Sequence, residues 1–291
     1  MKELINIIDK KLDEYLPILY PEDIFKAMKY TLMLPGKRLR PVMCIETARI
    51  FGCDINKVLP VACAIEMLHV QSLIHDDLPC MDNDDFRRGK PSNHKVFGEA
   101  NAVLAGDALL TFAPQLIIEK SKELTNEQIV KILLEYTRFA GAYGLIAGQV
   151  VDIESEGGKL VKSAEDTLKF IHLNKTAVLF RLAVRTGAIC ANADDKIIAE
   201  LDEFATKFGL AFQIYDDIMD EISTFEELGK SIGKDKASGK LTYVSLYGID
   251  NAKKQFISLI NECYGIIEKY NSKIFKDILD KLYSRIDTVE E

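Results

Sequence analysis

Apolar residues recur at every third and fourth position through most of the chain, while alternating stretches bounded by turn residues are scarce. That period predicts an almost entirely helical protein. Gly, Pro and Asn interrupt it at Leu34-Pro35-Gly36, Gly52 to Asn56, Pro79 to Pro91, Glu123 to Asn126, Gly157-Gly158, Ala191 to Asp195 and Gly229 to Gly239. None of these breaks has the composition of a long Pro/Ser linker, so a single domain over residues 1–291 is expected. Four segments are apolar on nearly all sides: Val61 to Asp77, Ala100 to Glu119, Leu168 to Ala191 and Ala205 to Asp220. They predict central helices surrounded by others. The more amphipathic ends, Met1 to Tyr30 and Ala252 to Glu291, predict an outer layer.

Composition narrows the function. With 291 residues, 48% of them hydrophobic, the chain can bury a large core, and its net charge of -8 argues against nucleic-acid binding. Any anion site must be local. The six cysteines, Cys44, Cys53, Cys63, Cys80, Cys190 and Cys263, form no CxxC pair and read as reduced thiols, so a cytoplasmic location is expected and a structural zinc site is not. Acidic residues interrupt every apolar run of the N-terminus, which therefore reads as an amphipathic helix and not a signal peptide. The quiet stretch from Val58 to Ile74 contains Glu66, His69 and Gln71 and suits a buried helix better than a membrane span.

Two acidic clusters stand out. Asp76, Asp77, Asp82, Asp84 and Asp85 arrive at the end of an otherwise almost uncharged helix, and Asp216-Asp217-Ile218-Met219-Asp220 closes a second one. An apolar helix cannot bury such groups unpaired. Asp216 and Asp220 lie about 40° apart on the helix, with Gln213 on the same arc. The two clusters can meet only if their helices pack side by side. Hard oxygen ligands without a companion set of Cys or His favour Mg²⁺, completed by waters and phosphate oxygens. A solvated acidic helix end explains either cluster alone, but less readily both. Basic residues accompany them: Lys37, Arg38 and Arg40 in a Pro-Gly turn, Arg87-Arg88-Gly89-Lys90 after the first cluster, Lys175 within an apolar helix, and Lys230, Lys234 and Lys240 after the second cluster. Acidic clusters for a divalent cation beside Arg and Lys that do not neutralise one another suit a diphosphate substrate.

These residues carry a family resemblance. Gly36-Lys37-Arg38-Leu39-Arg40-Pro41, Asp76-Asp77-(four residues)-Asp82, Arg87-Arg88-Gly89-Lys90-Pro91, His94 to Gly98, Gly148-Gln149 with Asp152, Lys175-Thr176, Asp216 to Asp220 and Lys240 to Tyr243 resemble the trans-isoprenyl diphosphate synthases, most closely the bacterial-type farnesyl diphosphate synthases. Ala177, where the family often has Gly, is a departure. The resemblance implies an orthogonal all-α bundle of about ten or more helices around a central cavity (the isoprenoid synthase type I fold), a homodimer, and three Mg²⁺ per site. It implies Asp76 and Asp82 as ligands of two ions and Asp216 of a third, with Asp77, Asp217 and Asp220 in or near the ligand sphere. Arg87, Lys175 and Lys230 are then expected to hold the allylic diphosphate, with Lys240 also at the substrate and Thr176 and Gln213 lining the cation. Lys37, Arg40, His69 and Arg88 are expected to hold isopentenyl diphosphate. His69 lies about 20° from Asp76 around the helix and two turns away, which suits a shared space.

The implied activity is head-to-tail condensation of isopentenyl diphosphate with dimethylallyl or geranyl diphosphate. Gln71 and Ser72 occupy the positions that set chain length in the family, and the two-residue insertion near Pro79-Cys80 goes with short products, so farnesyl diphosphate is expected, with geranylgeranyl diphosphate as the alternative. Rival readings are weaker. A helical HD-type phosphohydrolase needs several His ligands and leaves both Asp clusters unexplained. A non-catalytic partner subunit is expected to have lost motif residues, and a terpene cyclase does not need a second diphosphate site.

Overall fold

The structure, a computed structural model, describes residues 1–156, 162–222 and 240–287. It divides into two compact units, one formed by Met1–Leu134 with Thr186–Asn192, the other by Glu135–Arg185 with Ala193–Glu291.

In the first unit the helices are α1 (Lys2–Tyr15), α2 (Glu22–Leu32), α3 (Leu39–Ile50), α4 (Ile55–Asp76), α5 (Asn93–Phe97) and α6 (Glu99–Lys120). α7 (Asn126–Ala140) begins in it. Between α4 and α5 a small antiparallel hairpin pairs β1 (Phe86–Arg87) with β2 (Lys90–Pro91). α4 starts where the Asp54 side chain accepts from the amide of Asn56 at 2.8 Å. It packs chiefly on α6 and α3, with α1 and α2 alongside. The α4–α6 approach is close because Gly106 has no side chain: a Cβ there would sit 1.9 Å from His75 Nε2.

The second unit holds α8 (Leu145–Glu156), α9 (Ala164–Ile171), a π-helical turn (His172–Ala177), most of α10 (Val178–Cys190), α11 (Asp195–Ile222), α12 (Tyr243–Tyr247), α13 (Ile249–Ile267) and α14 (Lys273–Asp287). α11 is its axis and packs on α13 and on the π turn. Phe204 and Phe208 on α11 sit at its core; Phe208 meets Phe180 edge to face with centroids 4.9 Å apart.

The breaks expected at Leu34 to Gly36, Gly52 to Asn56, Glu123 to Asn126 and Ala191 to Asp195 fall between helices or run into the first residues of the next one. Gly157-Gly158 and Gly229 to Gly239 lie outside the described residues. Two expectations need correction. The segment from Leu168 to Ala191 is not one regular helix, because the π turn inserts a wider ring at Lys175 and Thr176. The segment from Ala100 to Glu119 is not covered on every side either: Val103, Leu104 and Ile118 of α6 are 40%, 55% and 54% exposed. Both α4 and α6 are long and apolar enough to span a membrane by length and composition, but α4 is mostly buried within the protein.

Candidate active site

In the first unit the end of α4 carries most of the sequence-predicted residues. Helical pairing stops at Asp77, whose amide reaches Leu73 O, and the chain then folds back until the amide of Asp82 donates to Asp76 O at 2.9 Å. That closure brings the first and third aspartates of the motif together across the inserted residues. Both side chains are partly exposed.

Asp77 is different. It is fully buried, and Arg87 grips it through Nε, 3.0 Å from Oδ1 and 3.2 Å from Oδ2, and through Nη2. Burial pushes the Asp77 carboxyl up to about 6 while Arg87 pulls the other way, so the pair is ionised at neutral pH. Arg87 also lies 3.5 Å from Asp84. The expectation that the basic residues stand apart from acidic partners therefore does not hold here.

A second group lies along α4 toward its N-terminus. His69 Nε2 is 3.4 Å from Arg40 Nη1; a guanidinium only donates, so the imidazole accepts and carries its proton on Nδ1. Burial, and then the charges of Arg40, Arg88, Arg87 and Arg38, hold its pKa well below the usual range. The imidazole is thus neutral, with guanidinium charge around it. Lys37 is exposed.

One turn on, the chain-length positions are occupied by ordered side chains. His75 Nε2–H donates to Val103 O at 3.1 Å, leaving Nδ1 to accept from Gln71 Nε2 at 3.1 Å. Ser72 Oγ donates to His69 O at 2.8 Å.

In the second unit the π turn aims Lys175 at Asp152 on α8, 2.5 Å away. Lys240 lies 3.6 Å from the same oxygen and 3.7 Å from Glu156. Burial favours protonation of Asp152, but the two lysines outweigh it and hold its pKa below the usual value. The ammonium inside an apolar helix is thus paired. Thr176 Oγ1 donates to Gln213 Oε1 at 2.5 Å, and Gln213 Nε2 donates to Asp217 Oδ1 at 2.9 Å. The other Asp217 oxygen accepts from the amide of Tyr243 at 2.7 Å, with His172 Nε2 at 3.5 Å. Asp217 is buried and ties α11 to α12 and the π turn, whereas Asp216 and Asp220 are partly exposed. Lys230 and Lys234 lie outside the described residues.

Among the described residues no three His, Cys, Asp or Glu side chains form a ready-made metal cage. A few carboxylates presented without soft ligands fit Mg²⁺, which keeps waters and takes substrate phosphates to complete its shell.

The family model described as polyprenyl synthetase matches residues 21–282. The chain belongs to the polyprenyl synthetase family. It is 47% identical over 249 residues, 86% of its length and 69% of the relative's, to a chloroplastic geranylgeranyl pyrophosphate synthase of Catharanthus roseus. A dimethylallyltranstransferase of Fischerella ambigua is 45% identical over 87% of this chain and 73% of its own. The crystal structure of a geranyltransferase from Helicobacter pylori, complexed with magnesium and isoprenyl diphosphate, aligns with a TM-score of 0.84 at 29% identity, covering 98% of this chain and 95% of that one. This polyprenyl synthetase is accordingly an all-α, short-chain prenyl diphosphate synthase, a transferase of prenyl groups.

Sequence reasoning left three residues of this synthase without a role. His172 faces Asp217, Glu66 faces Arg38, and Arg38, grouped above with the other basic residues, is 3% exposed and consumed by internal contacts. The available signal was a lone carboxylate in an apolar helix, which demands a cation from elsewhere in the chain.

Proposed function

We propose that this synthase joins isopentenyl diphosphate head to tail to an allylic diphosphate and that geranylgeranyl diphosphate is its main product. The observation that carries the reading is the composition of the α4 end: Asp76 and Asp82 drawn together by the folded-back chain, two turns from a neutral His69 set among guanidiniums. One group offers hard oxygens to a cation and the other offers donors to an anion.

In this reading Asp76, Asp82 and Asp216 hold Mg²⁺, with Asp220 nearby. When bound, Mg²⁺ offsets the charge that builds on the departing diphosphate. Arg87, Lys175 and Lys230 bind the allylic diphosphate through charge-assisted hydrogen bonds, and Thr176 and Gln213 line the allylic cation. Lys37, Arg40, His69 and Arg88 orient isopentenyl diphosphate, whose alkene attacks the cation. The proton then lost passes to the released diphosphate.

Product length is supported by the absence of an aromatic at Gln71 and Ser72 and by the similarity to a geranylgeranyl pyrophosphate synthase. Farnesyl diphosphate is the second reading. It is favoured by the hydrogen bond from Gln71 to His75, which gives a modest side chain a fixed position. Incubation with isopentenyl diphosphate and each allylic primer, followed by chromatographic sizing, decides between them; no carbon–carbon bond formation with any primer would overturn the whole reading.

A homodimer is part of the same proposal. Val103, Leu104 and Ile118 leave an apolar strip exposed on α6, with Val130 and Leu134 of α7 exposed as well, and a second copy of the chain is the occupant we assign to it. Sedimentation of wild type and Leu104→Lys tests it: a dimer that the lysine dissociates supports the assignment, and a monomeric wild type refutes it.

A further inference from the structure

We propose that Glu66 is a positioning residue for the anion corner, holding Arg38 and Arg88 so that Arg88, Arg40 and the turn bearing Lys37 present a fixed surface to the second diphosphate. This deepens the reading above and rests on its assignment of Arg88 to isopentenyl diphosphate.

Glu66 is 1% exposed in the middle of α4. A carboxylate there is costly unless a cation meets it. Its Oε1 accepts from Arg38 Nη1 at 2.7 Å and stands 3.9 Å from Arg88 Nη2, so one oxygen lies between two guanidiniums. Arg38 spends the rest of its fork on the chain: Nη2 donates to Leu32 O at 2.7 Å and Leu34 O at 3.2 Å, and Nε to Asp9 at 2.8 Å. Arg88 Nη1 reaches the same Leu34 O at 3.2 Å. It lies against Gly36, where a Cβ would come within 2.8 Å of Nη1. Both arginines adopt left-handed backbone conformations, φ 47° at Arg38 and 53° at Arg88, which β-carbon-bearing residues rarely hold without such ties. The turn that leads into α3 and the turn of the hairpin are therefore clamped to one point on α4.

Coulomb's law makes the proposal sharp. A carboxylate beside an anion site repels the anion, so a Glu66 that served only as countercharge would weaken substrate binding, and neutralising it would tighten that binding. A Glu66 that positions the guanidiniums has the opposite sign.

The test is steady-state kinetics with each substrate varied, together with melting temperature, for E66Q, D9N and R88K. E66Q should raise KM for isopentenyl diphosphate about tenfold, the scale of one charge-assisted hydrogen bond, with the allylic KM nearly unchanged. D9N removes Arg38's other carboxylate, which is 39% exposed at its side chain, and should lower the melting temperature without moving either KM. An unchanged or lowered KM for isopentenyl diphosphate in E66Q overturns the proposal. If R88K is equally silent, the underlying assignment of Arg88 has failed; if R88K raises that KM while E66Q does not, only the role of Glu66 has. Should E66Q not fold, R38K, which keeps the charge and loses the fork, must raise the same KM, and a normal value there overturns the proposal.

Discussion

The amide of Asp82 donates to the carbonyl of Asp76 at 2.9 Å, so the loop holding the two extra residues closes on itself. The insertion lengthens the chain between the aspartates without separating their backbones. Activity should require Mg²⁺ or Mn²⁺, and Asp76→Ala or Asp216→Ala should lower kcat more than about a hundredfold, the scale of one preorganised electrostatic contact. Turnover in the presence of excess chelator, measured beside both variants, checks this; near-normal rates would refute it.

Arg87 and Arg88 are neighbours in sequence with different partners. Arg87→Ala strands a buried Asp77, so it should cost about 3 kcal/mol of stability as well as impair use of the allylic substrate. Adding Asp77→Asn should recover part of that stability and none of the activity. Arg88→Ala should chiefly raise KM for isopentenyl diphosphate. Urea unfolding and two-substrate kinetics on the three variants separate these outcomes.

Gln71 is held by His75, and His75 by the space that Gly106 leaves. Gln71→Tyr should shift products toward farnesyl diphosphate, and Gln71→Ala should shift them toward longer chains, because side-chain volume at a packed site changes the room available. Gly106→Ala must displace the imidazole and release Gln71, giving a mixed profile. Product ratios by chromatography decide; a constant ratio across all three removes Gln71 from the chain-length role.

Lys175 and Lys240 hold the Asp152 carboxylate below its ordinary value near 3.8. A depressed folded-state pKa adds stability that is complete above the unfolded value, about 4, and is lost as pH falls through the folded value. The stability gap between wild type and Asp152→Asn should therefore be flat from pH 7 to about 5 and shrink below about 4. Urea midpoints across that range test it, and a gap that widens in acid contradicts the pairing.

The chain by itself determined where most of its helices lie and which side chains stand at their ends. α4 and α11 were predicted from their apolar period, and the ligand type from Asp76, Asp82 and Asp216, because helical period and side-chain chemistry are local properties. Partnerships are not local. That Lys175 pairs with Asp152, that Arg87 grips Asp77, and that both oxygens of Asp217 are taken by Gln213 and Tyr243 depends on which groups packing brings within hydrogen-bond reach. The same holds for Arg38. In sequence it is one of three basic residues in a single turn, and only the folded chain makes it a strut while leaving Arg40 at the imidazole of His69. Burial decides the difference: a guanidinium that cannot reach water must satisfy its donors inside the protein, so it becomes structure.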